Sequence, residues 1–126
     1  MQIAKLEISA VIIGAGAAGM MAAATIIERD PKAKITILEK NSRMGEKVRR
    51  TGGGRCNLTT GLSDANEILR RYPRGAHFLK HAIYSFPPWE VMKWFESHGV
   101  PLKVEADNRV FPQSDISDDV VAVFER

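Results

Sequence analysis

The feature that most narrows the fold of this 126-residue chain is the string Gly14-Ala15-Gly16-Ala17-Ala18-Gly19, which stands directly after a short β-branched run. Ile8 to Ile13 reads as a strand buried on both faces of a parallel sheet, because the run is apolar and stops at a glycine. Ala17 to Glu28 reads as a helix: its alanines favour helix and allow close packing on a sheet, and Asp30-Pro31 supplies the stop. Lys34 to Glu39, with Ile35, Ile37 and Leu38, reads as a second strand. Strand, glycine turn, helix and strand in roughly thirty residues predict a right-handed βαβ crossover, and therefore an α/β, Rossmann-like fold.

Each part of the string has its own task. Gly14 lets the chain turn sharply, Gly16 removes a side chain where backbone would meet a diphosphate, and Gly19 lets the helix approach the strand. Ala17 and Ala18 open the helix, whose free amides and partial positive charge suit an anion. Glu39, twenty residues after Gly19, would accept hydrogen bonds from adenosine ribose hydroxyls and would repel a 2′-phosphate, which disfavours NADP here. Gly14 and Gly19 also match the glycine spacing of a P-loop. Met20 and Met21 stand where that loop needs Lys and Ser/Thr, so triphosphate hydrolysis is set aside. The fingerprint leaves NAD and FAD open.

The segment from Asn41 to Gly61 favours FAD. It carries no hydrophobic period, so it is expected to be a long binding loop without a regular element. Gly52, Gly53 and Gly54 offer backbone that can lie against a flat ring, and the amides nearby, with Arg55, could stabilise negative charge on a reduced flavin. Arg43 and Lys47 are candidates for pyrophosphate or ribityl contact. Beyond the loop, Asp64 to Arg71, His77 to Ser85 and Pro88 to Ser97 are expected as helices. Leu102 to Glu105 and Arg109 to Phe111 are expected as a hairpin, and Ser114 to Arg126 as the start of a further helix.

Other classes fit less well. Ile8 to Ile27 is twenty residues without a charge, the length of a membrane span. Its three glycines and many alanines make it marginal for insertion, and it lacks the flanks of a signal peptide. Eighteen basic against fifteen acidic residues leave a net charge of +3, too small and too interspersed to imply nucleic acid, even with Lys40, Arg43, Lys47, Arg49, Arg50 and Arg55 close together. The single cysteine, Cys56, excludes an internal disulfide and suits a reducing, cytoplasmic setting, where it reads as a small packing residue. His77 and His81 lack a third ligand and a catalytic Glu between them, so no metal is expected. Trp89, Trp94, Phe95 and Phe86 have the spacing of helix packing residues.

Val11 to Gly19, Glu39-Lys40, Gly45 to Val48, the run TGGGRCNLT from Thr51 to Thr59, and RVFPQSD from Arg109 to Asp115 together resemble the bacterial HI0933-like (YhiN/BaiN-type) flavoproteins over nearly the whole chain. The glycine fingerprint is common to many enzymes, whereas GGGRCN with RVFP is much more particular. The resemblance implies a glutathione-reductase-like FAD domain interrupted by an inserted substrate domain, and an FAD-dependent oxidoreductase with NAD(P)H as a possible electron donor and an undefined small-molecule substrate. It maps Gly14, Gly16, Gly19, Glu39, Lys40 and the loop Gly52, Gly53, Gly54, Arg55, Cys56 and Asn57 onto FAD contacts. It also implies that residues 1–126 are an incomplete, N-terminal part of such a domain, with the remaining strands and a late Gly-Asp segment lying further along a longer chain. Three readings stay open: an FAD-binding oxidoreductase segment, a nucleotide-binding module or truncated fragment without turnover, and an NAD-binding Rossmann protein.

Overall fold

A computed structural model describes residues 9–125. The predicted start at Ile8 and the last residue, Arg126, lie outside that range. Strand β1 (Ser9–Ile13) and strand β2 (Lys34–Leu38) are parallel neighbours, with Ser9 opposite Lys34 and Ile13 opposite Leu38. Helix α1 (Ala17–Arg29) connects them, so the Rossmann-type βαβ unit is present. Its C-terminal stop is Asp30, whose amide donates to Ile26 O at 2.8 Å. The uncharged stretch is thus divided among a strand, a turn and a helix. No helix among the described residues is long and apolar enough to cross a membrane.

The strands of this sheet are not buried on both faces. Ile12 faces α1, and a β-carbon on Gly19 would come within 3.2 Å of its Cγ2. Alternate residues point to the opposite face, where Val11, Ile13 and Leu38 are 63%, 79% and 54% exposed. Helix α1 covers one face, and no second layer covers the other among the described residues.

The segment from Asn41 to Gly61 is also more structured than expected. It holds helix α2 (Glu46–Arg50), a 3-10 turn over Thr51–Gly54 and strand β3 (Thr59–Thr60). Five residues with Val48 as their one aliphatic side chain leave no readable helical period, and isolated helices of this length are unstable in water. Tertiary contacts supply the stability. The Gly45 amide donates to Ala15 O at 2.8 Å, and Gly45 packs so tightly that a β-carbon there would lie 2.8 Å from Val121. Within the helix, Glu46 accepts from Arg43 and Arg50 at 3.0 and 2.7 Å.

Helices α3 (Ala65–Arg70), α4 (Ala76–Ser85) and α5 (Pro88–Ser97) follow at the predicted places. Asp64 caps α3 by accepting from the Glu67 amide, as short polar side chains at this position do. The predicted hairpin is β4 (Leu102–Val104) with β5 (Arg109–Pro112), and β3 pairs on the other side of β5, giving an antiparallel sheet ordered β3-β5-β4. Helix α6 (Ser117–Glu125) closes the described chain. The main core lies here. Val110 and Phe111 of β5 and Val120 and Val121 of α6 are buried, with Phe95 of α5 and Cys56 from the loop. Of the four aromatics read as packing residues, Phe95 and Trp94 join or flank this core, whereas Trp89 and Phe86 stay exposed.

Candidate functional site

The glycine turn has the geometry its sequence demands. Gly14 has φ +93°, in the region that favours glycine, and its amide continues the strand ladder to Leu38 O at 2.8 Å. A β-carbon on Gly19 would stand 2.0 Å from the Gly14 carbonyl oxygen, so any larger residue would drive the helix off the turn. Gly16 caps α1 in an extended conformation with no side-chain hydrogen bond. A β-carbon there would meet nothing within 4 Å, which leaves the space before Ala17 and Ala18 open, at a helix end with unmet amides and a partial positive charge.

Glu39 belongs to this turn. Its Oε2 accepts from the Ala15 amide at 2.8 Å, and its Oε1 accepts from the Asn41 amide at 2.8 Å and the Asn41 side-chain amide at 2.7 Å. These bonds, with that from the Asn41 backbone foremost, hold the carboxyl below its ordinary pKa of 4.5. Glu39 and Lys40 line an open groove of about 520 Å³ at the C-terminal ends of β1 and β2, together with Ile13, Gly14, Leu38 and Asn41.

A second cleft has a volume of about 590 Å³. Its walls are Gly16, Ala17 and Ala18 of the helix start, Lys47, Thr51, Cys56 and Asn57 of the loop region, and apolar side chains of α1, α5 and α6 such as Met20, Phe95 and Phe124. The smaller groove thus reaches the turn at Gly14, and the larger cleft reaches it at Gly16 and the helix start. An open crevice at the carboxyl ends of parallel strands is where α/β folds bind ligands.

Residues 8–126 match the HI0933-like protein Rossmann domain. The chain belongs to the HI0933-like family. This HI0933-like chain is 33% identical over 114 residues, 90% of its length, to a 3-dehydro-bile acid delta(4,6)-reductase of Clostridium scindens, of which the match covers 27%. It is 33% identical over 91 residues, 72% of its length, to a ribosomal RNA dihydrouridine synthase of Escherichia coli, of which the match covers 22%. A ribosomal RNA dihydrouridine synthase of Haemophilus influenzae is 30% identical over 90 residues. The chain thus spans about a quarter of the length of the curated relatives it matches.

The triglycine run of the HI0933-like chain divides into two environments. A β-carbon on Gly52, at φ +58°, would lie 2.7 Å from the Phe111 ring, whereas those on Gly53 and Gly54, also at positive φ, would meet nothing within 4 Å. Arg55 turns toward the antiparallel sheet. Its guanidinium lies 3.9 Å from the Phe111 ring centroid and donates to Glu105 at 2.7 Å and Asp115 at 3.3 Å, contacts that raise its pKa further, that with Glu105 most. Cys56 is buried, and burial pushes its thiol pKa up, as befits an inert packing cysteine. Arg43 is engaged by Glu46 and lines neither space. Sequence reasoning missed Thr51 and the apolar wall of the larger cleft, which comes from α1, α5 and α6. No spacing in the sequence could have joined them. Among the described residues no cluster of three His, Cys, Asp or Glu is placed to hold a metal.

Proposed function

We propose that this chain is the FAD-binding segment of a flavin-dependent oxidoreductase that acts as a reductase. The observation that carries the reading is the Glu39 carboxylate bonded to the Ala15 amide, which holds this acid against the glycine turn that opens α1. Glu39 and Lys40 would hold the adenosine ribose in the smaller groove. Gly14, Gly16, Ala17, Ala18 and Gly19 would present bare backbone to the diphosphate. The ring system would enter the larger cleft, lined by Thr51, Cys56 and Asn57, with Gly53 and Gly54 on the turn between them, which fits because a mostly apolar space adjoins the helix end. Bound there, a flavin supplies hydride chemistry, and the protein supplies position and electrostatics.

Relatives named as a reductase and as dihydrouridine synthases favour reduction as the direction of that chemistry. The rest of the enzyme, its small-molecule substrate and NAD(P)H as electron donor belong to the same proposal, as does a cytoplasmic setting. Plain NAD binding is disfavoured because it leaves the larger cleft without a role. The test is titration of the full polypeptide with FAD, NADH and ADP-ribose. The expected result is a yellow protein with flavin bands, whose FAD affinity drops in Gly16→Val and Glu39→Ala. Colourless protein unable to take up added FAD would refute it, and NADH binding in place of FAD would favour the alternative.

A further inference from the structure

We propose that Lys47, and not Arg55, is the cation that meets the electron-rich edge of the ring in the larger cleft, and that Arg55 is a positioning residue for the glycine loop. The inference rests on the flavin reading above. Among the described residues lining that cleft, Lys47 is the one that carries a formal charge. Its side chain makes no hydrogen bond or ion pair among the described residues. Its acidic neighbour Glu46 is already engaged by Arg43 and Arg50. Lys47 is also carried on the helix that Gly45 ties to Ala15 O, so the backbone bearing its charge is held against the glycine turn.

Arg55 stands in the opposite situation. Glu105 and Asp115 take its guanidinium, Lys103 also pairs with Asp115, and Arg109 pairs with Glu105 and Asp107. Three cations and three carboxylates balance, so little field is left to act on a ligand beyond the cluster. What Arg55 does is mechanical. Stacked on Phe111, the ring that Gly52 abuts, it fastens the end of the triglycine turn to β5 and leaves Gly53 and Gly54 facing open space. Reduction places negative charge on a flavin's pyrimidine edge. An unpaired ammonium bordering a mostly apolar cleft favours that state more than a neutralised guanidinium does.

The test compares wild type, Lys47→Gln, Lys47→Arg and the charge-removing Arg55→Gln in the full polypeptide, reading FAD affinity, the midpoint potential of bound flavin and the thermal midpoint. Lys47→Gln should disfavour the reduced flavin about tenfold, which lowers a two-electron potential by about 30 mV, at an unchanged thermal midpoint. Lys47→Arg should restore the potential. Arg55→Gln should unfold at lower temperature while the flavin it retains keeps the wild-type potential. An unchanged potential in Lys47→Gln, or an equal drop in Arg55→Gln without loss of stability, overturns this inference alone. Wild type that takes up no FAD overturns the flavin reading and this inference with it.

Discussion

Ile13 in β1 and Phe111 in β5 are both large apolar residues in strands, yet Ile13 is 79% exposed and Phe111 is fully buried. The parallel sheet has one helix against one face, and its other face is open. The antiparallel sheet is held between the glycine loop and helices α5 and α6, and the main core forms there. The half of the molecule with the nucleotide fingerprint is therefore shaped chiefly by backbone geometry at its glycines. The other half supplies most of the packed interior and braces the first through α2, whose Arg49 bonds Asp118 and Glu125 of α6 and whose Gly45 meets Val121. The glycine turn is anchored at one buried residue, Ala15, whose carbonyl accepts from the Gly45 amide, while the strand face beside it stays open.

The two sheets should differ most at these two residues. Phe111→Ala should cost about 3–5 kcal/mol by urea unfolding, because a fully enclosed ring is removed, whereas Ile13→Thr in the same chain should stay within about 0.5 kcal/mol. A large loss from Ile13→Thr would show that the open face is covered in solution. Gly19→Ala should cost about 1–3 kcal/mol or more, since its β-carbon meets the Gly14 carbonyl, and should abolish FAD binding in the full polypeptide.

Within the triglycine run the same contrast sharpens. Gly53→Ala should cost about 1–2 kcal/mol for its left-handed backbone alone, and Gly52→Ala more, because a collision with Phe111 is added. The pH profile gives a smaller effect. The folded-state pKa of Glu39 lies below the ordinary 4.5, so its contribution is complete above that pH and is lost as pH falls through the depressed value. The stability difference between wild type and Glu39→Gln should shrink on acidification and vanish at low pH. The smallest change expected is in chemistry rather than stability: Cys56 should resist a thiol-directed alkylating reagent in the folded protein and react freely in urea.

How far the sequence was legible follows from the range of the interactions. The helices α3, α4 and α5 and the β4–β5 hairpin are announced by caps, prolines and turn residues within a few positions, and they form where those signals stand. Helix α2 and β3 were invisible because their stability comes from Ala15, Val121 and β5, which lie far away in sequence. Arg55 illustrates the same limit at the site. Its place beside three glycines pointed to a ligand contact, and nothing nearby announced the carboxylates of Glu105 and Asp115, fifty and sixty residues on.

The sequence by itself determined the βαβ turn: glycines at 14, 16 and 19 and an acid at 39 impose one backbone path, because conformational freedom and close approach are properties of the residues themselves. Only the tertiary structure decided which cations are free and which are spent, how the larger cleft is walled, and which face of each strand is buried. Those outcomes depend on what a side chain meets after folding, and charge pairing and burial are relations between distant residues rather than attributes of any one.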